Sequence, residues 1–216
     1  MYKRQVYGTV VPLLWASVAV ALLAAGAEVW RYVLLLASRT DALSAGVVAA
    51  SDALVAAAGW VAPIVAALAG VALVQWTVRA SRAAADQAGV APARTPRALV
   101  LGWVIPGLNL SVPGSALAEI EHAVLGRPSA QRPRPTPLLL GWWALWVAGC
   151  VLAVVVLLWS LRTGVQARAD GVVLHAVLDV VAAVTAGWTA VLVTRLTRLL
   201  GPPRTRRREL VVSVSG

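Results

Sequence analysis

Four ionisable residues lie inside long apolar runs, at spacings that would pair them on helix faces. Glu28 and Arg31 are three residues apart, and His175 and Asp179 are four apart. Residues with these spacings are neighbours on one side of a helix. Because an ionisable side chain within a membrane segment costs about 2.5–3.5 kcal/mol, such residues mark pairing or function. Two interpretations remain open: a small polar site or proton path, or an Arg31–Asp179 or Arg31–Glu28 ion pair that fixes helix packing.

The remaining reactive residue types form no pattern that is typical of an enzyme. The chain has two histidines, nine acidic residues and a single cysteine, Cys150, which stands within an apolar run. These residues show no metal-ligand spacing, no nucleophile elbow and no phosphate-binding loop. We therefore expect a non-catalytic protein without a metal or cofactor. A membrane enzyme that uses Glu28, His175 and Asp179 is the least favoured alternative.

The elements that must position these residues are four long apolar segments. Hydrophobic residues make up 60% of the 216-residue chain, whereas charged residues make up 13% and lie mostly between the apolar segments. About 20 consecutive apolar residues are enough to cross a bilayer as a helix. We predict an all-α fold, an integral membrane four-helix bundle that forms a single membrane domain over residues 1–216. The predicted spans are 9–37, 54–78, 138–161 and 171–194.

The basic residues are distributed unevenly over the segments between the spans. With the N-terminus in the cytoplasm, fifteen Lys and Arg residues lie on the cytoplasmic side, and only Arg39, Arg162 and Arg168 lie outside. Cytoplasmic loops carry such an excess of basic residues. We therefore expect a multi-pass protein of the cell membrane with both termini in the cytoplasm. The net charge of +10 is attributed to this topology, and no nucleic-acid partner is expected.

Several tryptophans fall near the predicted ends of the spans. Trp30, Trp60 and Trp159 fall near outer ends together with Tyr32, whereas Trp76, Trp142 and Trp143 fall near inner ends. Trp is enriched at both membrane–water interfaces. We therefore expect these residues to form interfacial belts.

The segment at 98–125 is apolar but is interrupted by residues that break helices. Its continuous apolar stretch, at 98–110, is shorter than a span needs. Pro106 and Pro113 remove backbone donors, and the freed groups at membrane depth must find partners. We predict a re-entrant or interfacial segment on the cytoplasmic side of the membrane. The side chain of Asn109 is expected to bond to the backbone groups that the prolines leave unpaired.

The sequence after the second proline becomes amphipathic. Ile120 and Val124 fall on an apolar side of a helix, whereas Glu121 and His122 fall elsewhere, and Gly126 is a plausible end of the helix. We predict an amphipathic helix that lies along the membrane surface.

A long block around the two prolines is similar to a known family. The stretch TPRALVLGWVIPGLNLSVPGSALAEIEHA, followed after a linker by PLLLGWWALWVAG, resembles the actinobacterial multi-pass membrane family called domain of unknown function 4328. That family has a W-x-x-P-x-x-N-L-x-x-P core, which this chain matches in spacing. The resemblance covers roughly residues 70–200 and implies a multi-pass architecture, but no activity. The residues that match the core, our candidate motif site, are Trp103, Pro106, Asn109, Leu110 and Pro113.

The tail at 195–216 is basic. Juxtamembrane Arg residues attract anionic lipids by about 1 kcal/mol each, and ordinary topological anchoring explains the same residues. The predicted contacts with lipid headgroups are Arg204, Arg206, Arg207 and Arg208.

These features favour a non-catalytic accessory or scaffold subunit that binds other membrane proteins or lipid, with a homo-oligomer left open. The alternative is a carrier of a small molecule, lipid or ion. In a carrier, the broken stretch at 102–114 would line a site, as discontinuous helices do in transporters.

Overall fold

The computed structural model describes the backbone of residues 2–200 and, except at residues 2–7 and 165, their side chains. Within this range the chain is all helical, without strands, and four helices (the first, second, fifth and sixth) are long and apolar enough to cross a membrane. The prediction of an all-α protein with four candidate spans is confirmed. The helices are α1 (Tyr2–Ala37), α2 (Ala45–Ala88), α3 (Pro96–Val104), α4 (Leu108–Val124), α5 (Pro137–Ser160) and α6 (Val165–Leu199).

Capping residues set the ends of α2. Ser44 is its N-cap, since the Ser44 side chain accepts a hydrogen bond from the Val47 amide at 3.4 Å. Gly89 ends the helix in the left-handed conformation, with a φ of 72°. α2 is therefore 44 residues long and extends beyond the predicted span at 54–78 in both directions. The apolar run alone underestimated the helix, because the caps lie outside it.

The four long helices form a bundle that α3 and α4 join at one end. α1 packs along both α2 and α6, and α5 packs along α6. α3 and α4 form a hairpin that contacts α2, and α4 also contacts α5 and α6. We call the end of the bundle that holds Arg79, the start of α5 and Arg195 the basic end. The opposite end carries the loops at 38–44 and 161–164.

The largest buried cluster lies at the basic end, where the hairpin joins the long helices. All four long helices and the hairpin contribute to it. In a bilayer such contacts stabilise through close packing and not through removal of apolar surface from water. Its larger members include Leu14, Leu73, Trp76, Leu117, Ile120, Leu139, Trp142, Leu192 and Leu196.

Two of the predicted interfacial tryptophans lie in this cluster, so the belt prediction is wrong for them. Trp76 is 4% exposed and Trp142 is 0% exposed. The Trp76 indole Nε1 donates a hydrogen bond to Thr197 Oγ1 at 3.0 Å, and Trp142 Nε1 donates to Thr189 Oγ1 at 2.8 Å. Buried Trp residues usually find such an acceptor, and two hydroxyl groups of α6 serve here.

The helix after Pro113 is buried by other helices to a greater extent than the amphipathic pattern predicted. That helix is α4, and nine of its 17 residues are buried. Glu121 and His122, which we placed away from the apolar side, are 1% and 7% exposed. The reason is that α4 contacts α2, α3, α5 and α6. Protein therefore covers most of its circumference.

Candidate functional site

The hairpin breaks between α3 and α4, at residues 105–107. Ile105 has extended backbone angles, with ψ at 122°, and Gly107 has a φ of 86°. A positive φ strains residues that have a side chain, so Gly107 permits the turn. Pro106 lies between them, at the place where the sequence predicted a break. Pro113, the other predicted breaking point, lies inside the continuous helix α4.

Pro113 leaves one carbonyl group without its helical donor, and a tryptophan of α5 replaces that donor. In a helix the amide of residue 113 would donate to the carbonyl of residue 109, but proline has no N–H. The Trp146 indole Nε1 donates to the Asn109 carbonyl oxygen at 2.8 Å. Our prediction that the Asn109 side chain fills this role is wrong. The main chain of Asn109 is the acceptor, and an aromatic residue far along the chain is the donor.

A second indole donates to the next carbonyl group. The Trp143 Nε1 lies 2.6 Å from the Leu110 carbonyl oxygen. The Trp143 ring lies directly on Gly114, where a Cβ atom would overlap the ring. Gly114 therefore allows α5 to approach α4 closely enough for both indole bonds.

Two other tryptophan rings pack against the donor Trp146. Trp103, of α3, meets Trp146 edge-on, with ring centroids 5.5 Å apart and planes at 75°. Trp142 stacks on Trp146, with ring centroids 5.8 Å apart and planes at 24°. Aromatic pairs at these separations stabilise by about 0.5–1.5 kcal/mol each. Three candidate motif residues thus meet at the hydrogen bond from Trp146 to α4: Asn109 accepts it, Pro113 lacks the amide that it replaces, and Trp103 packs against its donor. We call this arrangement the indole-capped hairpin.

Glu121 is the most buried acidic group of the hairpin, and the sequence analysis missed its role. Its carboxylate accepts hydrogen bonds from the Thr136 amide at 3.0 Å and from Thr136 Oγ1 at 2.8 Å. Arg195 of α6 lies 3.5 Å from the same carboxylate. Glu121 therefore connects α4, the start of α5 and α6. A usable signal existed, because Glu121 follows Leu117 by one helical turn on the side that begins at Gly114.

A second, more exposed ion pair fixes the entry into the hairpin. Arg94 Nε donates to Glu119 Oε1 at 3.0 Å, and Arg94 Nη2 donates to Ser115 Oγ at 2.9 Å. Both charged side chains are about one quarter exposed. The loop before α3 is thereby held against α4.

The predicted polar residues in the spans come together at the opposite end. Glu28, Arg31 and His175 line a cleft of about 230 Å³ between α1, α5 and α6. We call it the polar cleft. Asp179 lies one turn after His175 and interacts electrostatically with both Glu28 and His175. Among the described residues, Glu28 Oε2 is buried and has no hydrogen-bond partner.

The predicted partner of Arg31 is wrong. Among the described residues, Arg31 forms its ion pair with Asp52 of α2 and forms none within 4.0 Å with Asp179 or Glu28, although the charge of Arg31 still acts on Glu28. Asp52 lies just outside the predicted span at 54–78, so the sequence analysis did not count it among the residues of the membrane. The extension of α2 to Ala45 places Asp52 beside α1.

Other charged groups surround the polar cleft. Arg162 and Arg168 line it, and the Arg162 guanidinium lies 4.3 Å from the centre of the Trp159 ring. Trp159 Nε1 donates to the Ala167 carbonyl oxygen at 3.0 Å. Within residues 2–200, no three His, Cys, Asp or Glu side chains meet in a group that could hold a metal ion.

The predicted lipid contacts Arg204, Arg206, Arg207 and Arg208 lie outside the described residues. Their contact with headgroups stays a prediction.

Comparison with known proteins agrees with the resemblance seen in the motif. The family model described as domain of unknown function (DUF4328) matches residues 39–198. This range holds the whole hairpin, α2, α5 and nearly all of α6, and it leaves out α1. No curated protein and no solved structure matches the chain. Since the match covers most of the sequence, the chain belongs to the DUF4328 family.

Proposed function

We propose that this protein is a non-catalytic scaffold or accessory subunit of the cell membrane, whose hairpin enters the membrane from the cytoplasmic side and binds a neighbouring membrane protein. The observation that supports it most is the indole-capped hairpin. Trp143 and Trp146 satisfy two carbonyl groups of α4 from within the protein. Irregular backbone at membrane depth is tolerated where protein buries it.

The position of the hairpin along α5 supports the proposal that the hairpin is re-entrant. Trp146 is nine residues after Pro137, the first residue of α5, so the capped carbonyl of Asn109 lies about 13 Å along α5 from its start. The hydrocarbon core of a bilayer is about 30 Å thick. With the start of α5 at the cytoplasmic boundary of the hydrocarbon core, as this proposal has it, the carbonyl lies where water does not replace a missing hydrogen bond.

The outward face of the tip is apolar and exposed. Leu101, Val104, Ile105 and Leu108 are 40–67% exposed. This surface suits lipid or an apolar face of another membrane protein. The two acids of α4, Glu119 and Glu121, are engaged in ion pairs with Arg94 and Arg195, which favours a structural role for the hairpin over catalysis.

Thiol labelling tests the topology and whether water reaches the hairpin near Asn109. In a Cys150→Ala background, single cysteines replace Ser44, Asn109 or Gln131, and a membrane-impermeant maleimide is applied to either side. We expect Ser44→Cys to react from outside, Gln131→Cys from the cytoplasm and Asn109→Cys from neither side. Labelling of Gln131→Cys from outside would contradict the re-entrant hairpin.

Photo-crosslinking in cells tests the scaffold role. A photoreactive residue at Val104, on the hairpin tip, is compared with one at Val180, which is also exposed but lies on α6. We expect a discrete protein adduct at Val104 and only lipid adducts at Val180. Equal adducts at both positions would show that the hairpin is not a specific contact surface.

The carrier remains the second candidate, and the polar cleft at the opposite end is the observation that favours it. A carrier must also open a path from this cleft toward the basic end, past the hairpin. Reaction of Asn109→Cys with the impermeant maleimide would support that path and count against the scaffold.

A further inference from the structure

A second cleft lies at the basic end, on a side of α6 that the candidate motif does not use. It has a volume of about 470 Å³ and lies between α1, α6 and the end of α4. We call it the basic cleft. Its lining includes Trp15, Leu125, Val191, Thr194, Arg195 and Arg198.

The basic cleft changes from apolar to cationic along α6. Along α6, the lining residues run from Val191 to Arg195, one turn further on, and then to Arg198, almost one turn beyond Arg195. Seven residues of a helix separate Val191 from Arg198, which corresponds to about 10 Å. Trp15 of α1 is 52% exposed and forms the facing apolar wall. A ligand that fits this gradient has an anionic head and an apolar chain.

The two arginines differ in their surroundings. Arg195 is held from behind by the buried carboxylate of Glu121, 3.5 Å away, which positions its guanidinium and balances its charge. Arg198 has no acidic partner within 4.0 Å among the described residues. The cleft therefore has an excess of one positive charge. Arginine forms paired, directional hydrogen bonds with phosphate oxygens.

We propose that the basic cleft binds an anionic phospholipid, with the phosphodiester at Arg198 and Arg195 and an acyl chain along Trp15 and Val191. One excess positive charge matches a phospholipid with one net negative charge better than a zwitterionic one. The inference relies on the proposed function only for its membrane setting. It concerns another face of the protein than the hairpin tip.

Bromine-labelled lipids test the proposal on the full-length protein in nanodiscs. Brominated acyl chains quench nearby tryptophans, and the Trp15 signal is the difference between the wild type and Trp15→Phe. We expect brominated phosphatidylglycerol, diluted into unlabelled phosphatidylcholine, to quench Trp15 at lower mole fraction than brominated phosphatidylcholine does. Equal quenching by the two lipids would overturn the proposal, and this comparison needs no variant of the arginines.

Charge variants locate the site. We expect Arg198→Gln to raise the phosphatidylglycerol fraction needed for half-quenching by about fivefold, as the loss of one basic contact with anionic lipid predicts. Arg198→Lys should retain most of the preference. The matched control is Arg132→Gln, which removes one charge from the exposed linker before α5 and should change the half-quenching fraction little. An equal effect of Arg198→Gln and Arg132→Gln would place the lipid preference in the overall charge and overturn the proposed site.

The same chemistry could come from a soluble phosphate. Inorganic phosphate and glycerol phosphate are therefore added as competitors. We expect neither to displace the lipid, because neither has an acyl chain to contact Trp15. Displacement by inorganic phosphate would show a soluble-anion site and overturn the lipid assignment. Failure of this proposal would leave the labelling and crosslinking results at the hairpin unchanged, so the two outcomes can be told apart.

Discussion

The two ends of the bundle differ in the hydrogen-bond partners that they provide to a carboxylate. At the basic end, Glu121 receives two hydrogen bonds from Thr136 and lies beside Arg195. At the opposite end, Glu28 lines the polar cleft, and one of its carboxylate oxygens has no partner among the described residues. Both carboxylates have a buried oxygen atom, but only that of Glu121 joins three helices. Burial of an acidic group therefore does not by itself indicate whether the group stabilises the fold or is free to bind a ligand. The hydrogen-bond donors around the carboxylate distinguish the two cases.

The largest expected effect comes from removing Glu121. Glu121→Ala leaves the amide and hydroxyl of Thr136 and the charge of Arg195 without their partner, and it should lower the free energy of unfolding by about 3 kcal/mol. Denaturant titration of the protein in detergent measures this change. The matched control is Glu119→Ala, whose pair with Arg94 is about one quarter exposed and should cost about 1 kcal/mol or less. Equal losses for the two variants would remove the distinction between a connecting carboxylate and an ordinary ion pair.

The close approach of α5 to α4 should give the next largest effect. Gly114→Ala places a methyl group where the Trp143 ring lies, and overpacking of this kind costs about 1–3 kcal/mol. Thermal unfolding followed by tryptophan fluorescence measures the loss. Gly70→Ala is the control, because a Cβ atom there meets nothing within 4 Å. If Gly114→Ala leaves the stability unchanged, the position of the Trp143 ring does not depend on close contact with residue 114.

The indole cap gives a sharper test, because two substitutions should compensate each other. Trp146→Phe leaves the Asn109 carbonyl without a donor and should cost about 1–2 kcal/mol. Pro113→Ala restores an amide at the helical position, so the cost of Trp146→Phe should fall in that background. Asn109→Ala should change stability by about 0.5 kcal/mol or less, since the acceptor is its main chain. A large loss of stability for Asn109→Ala would show that the Asn109 side chain, and not only its carbonyl group, stabilises the hairpin.

A small effect is also expected from the ion pair at the opposite end. The side chains of Arg31 and Asp52 are 34% and 58% exposed, and exposed pairs contribute about 0–1 kcal/mol. Asp52→Asn should therefore change the unfolding free energy by less than about 1 kcal/mol. The same denaturant titration checks it. A loss as large as that of Glu121→Ala would show that this end, too, depends on its charges for stability.

The sequence was sufficient for features that depend on local chemistry. Apolar runs indicated the four candidate spans, and the missing N–H of Pro106 indicated the break in the hairpin. Helical spacing indicated that Glu28 with Arg31, and His175 with Asp179, would share faces. These inferences need only the properties of residues that are close in the chain.

Features that depend on the register between helices could not be predicted. Pro113 indicates that a carbonyl loses its donor, but Trp146 becomes the substitute only because α5 lies at one particular height beside α4. Asp52 reaches Arg31 only because caps extend α2 beyond its apolar run. Glu121 showed a partial signal in its spacing from Leu117, but its partners Thr136 and Arg195 come from two other elements.

The packing of α1 against α6 has a consequence for biosynthesis. α1 precedes α6 in the chain, and the face of α1 that holds Val10 and Leu14 belongs to the same buried cluster as Leu192 and Val193 of α6. At ordinary rates of translation the ribosome needs on the order of ten seconds to proceed from α1 to α6. During that time α1 can pair with α2 but lacks its final neighbour. A nascent chain that stops before α6 therefore leaves this face of α1 without its partner, and the synthesis of α6 completes the buried cluster.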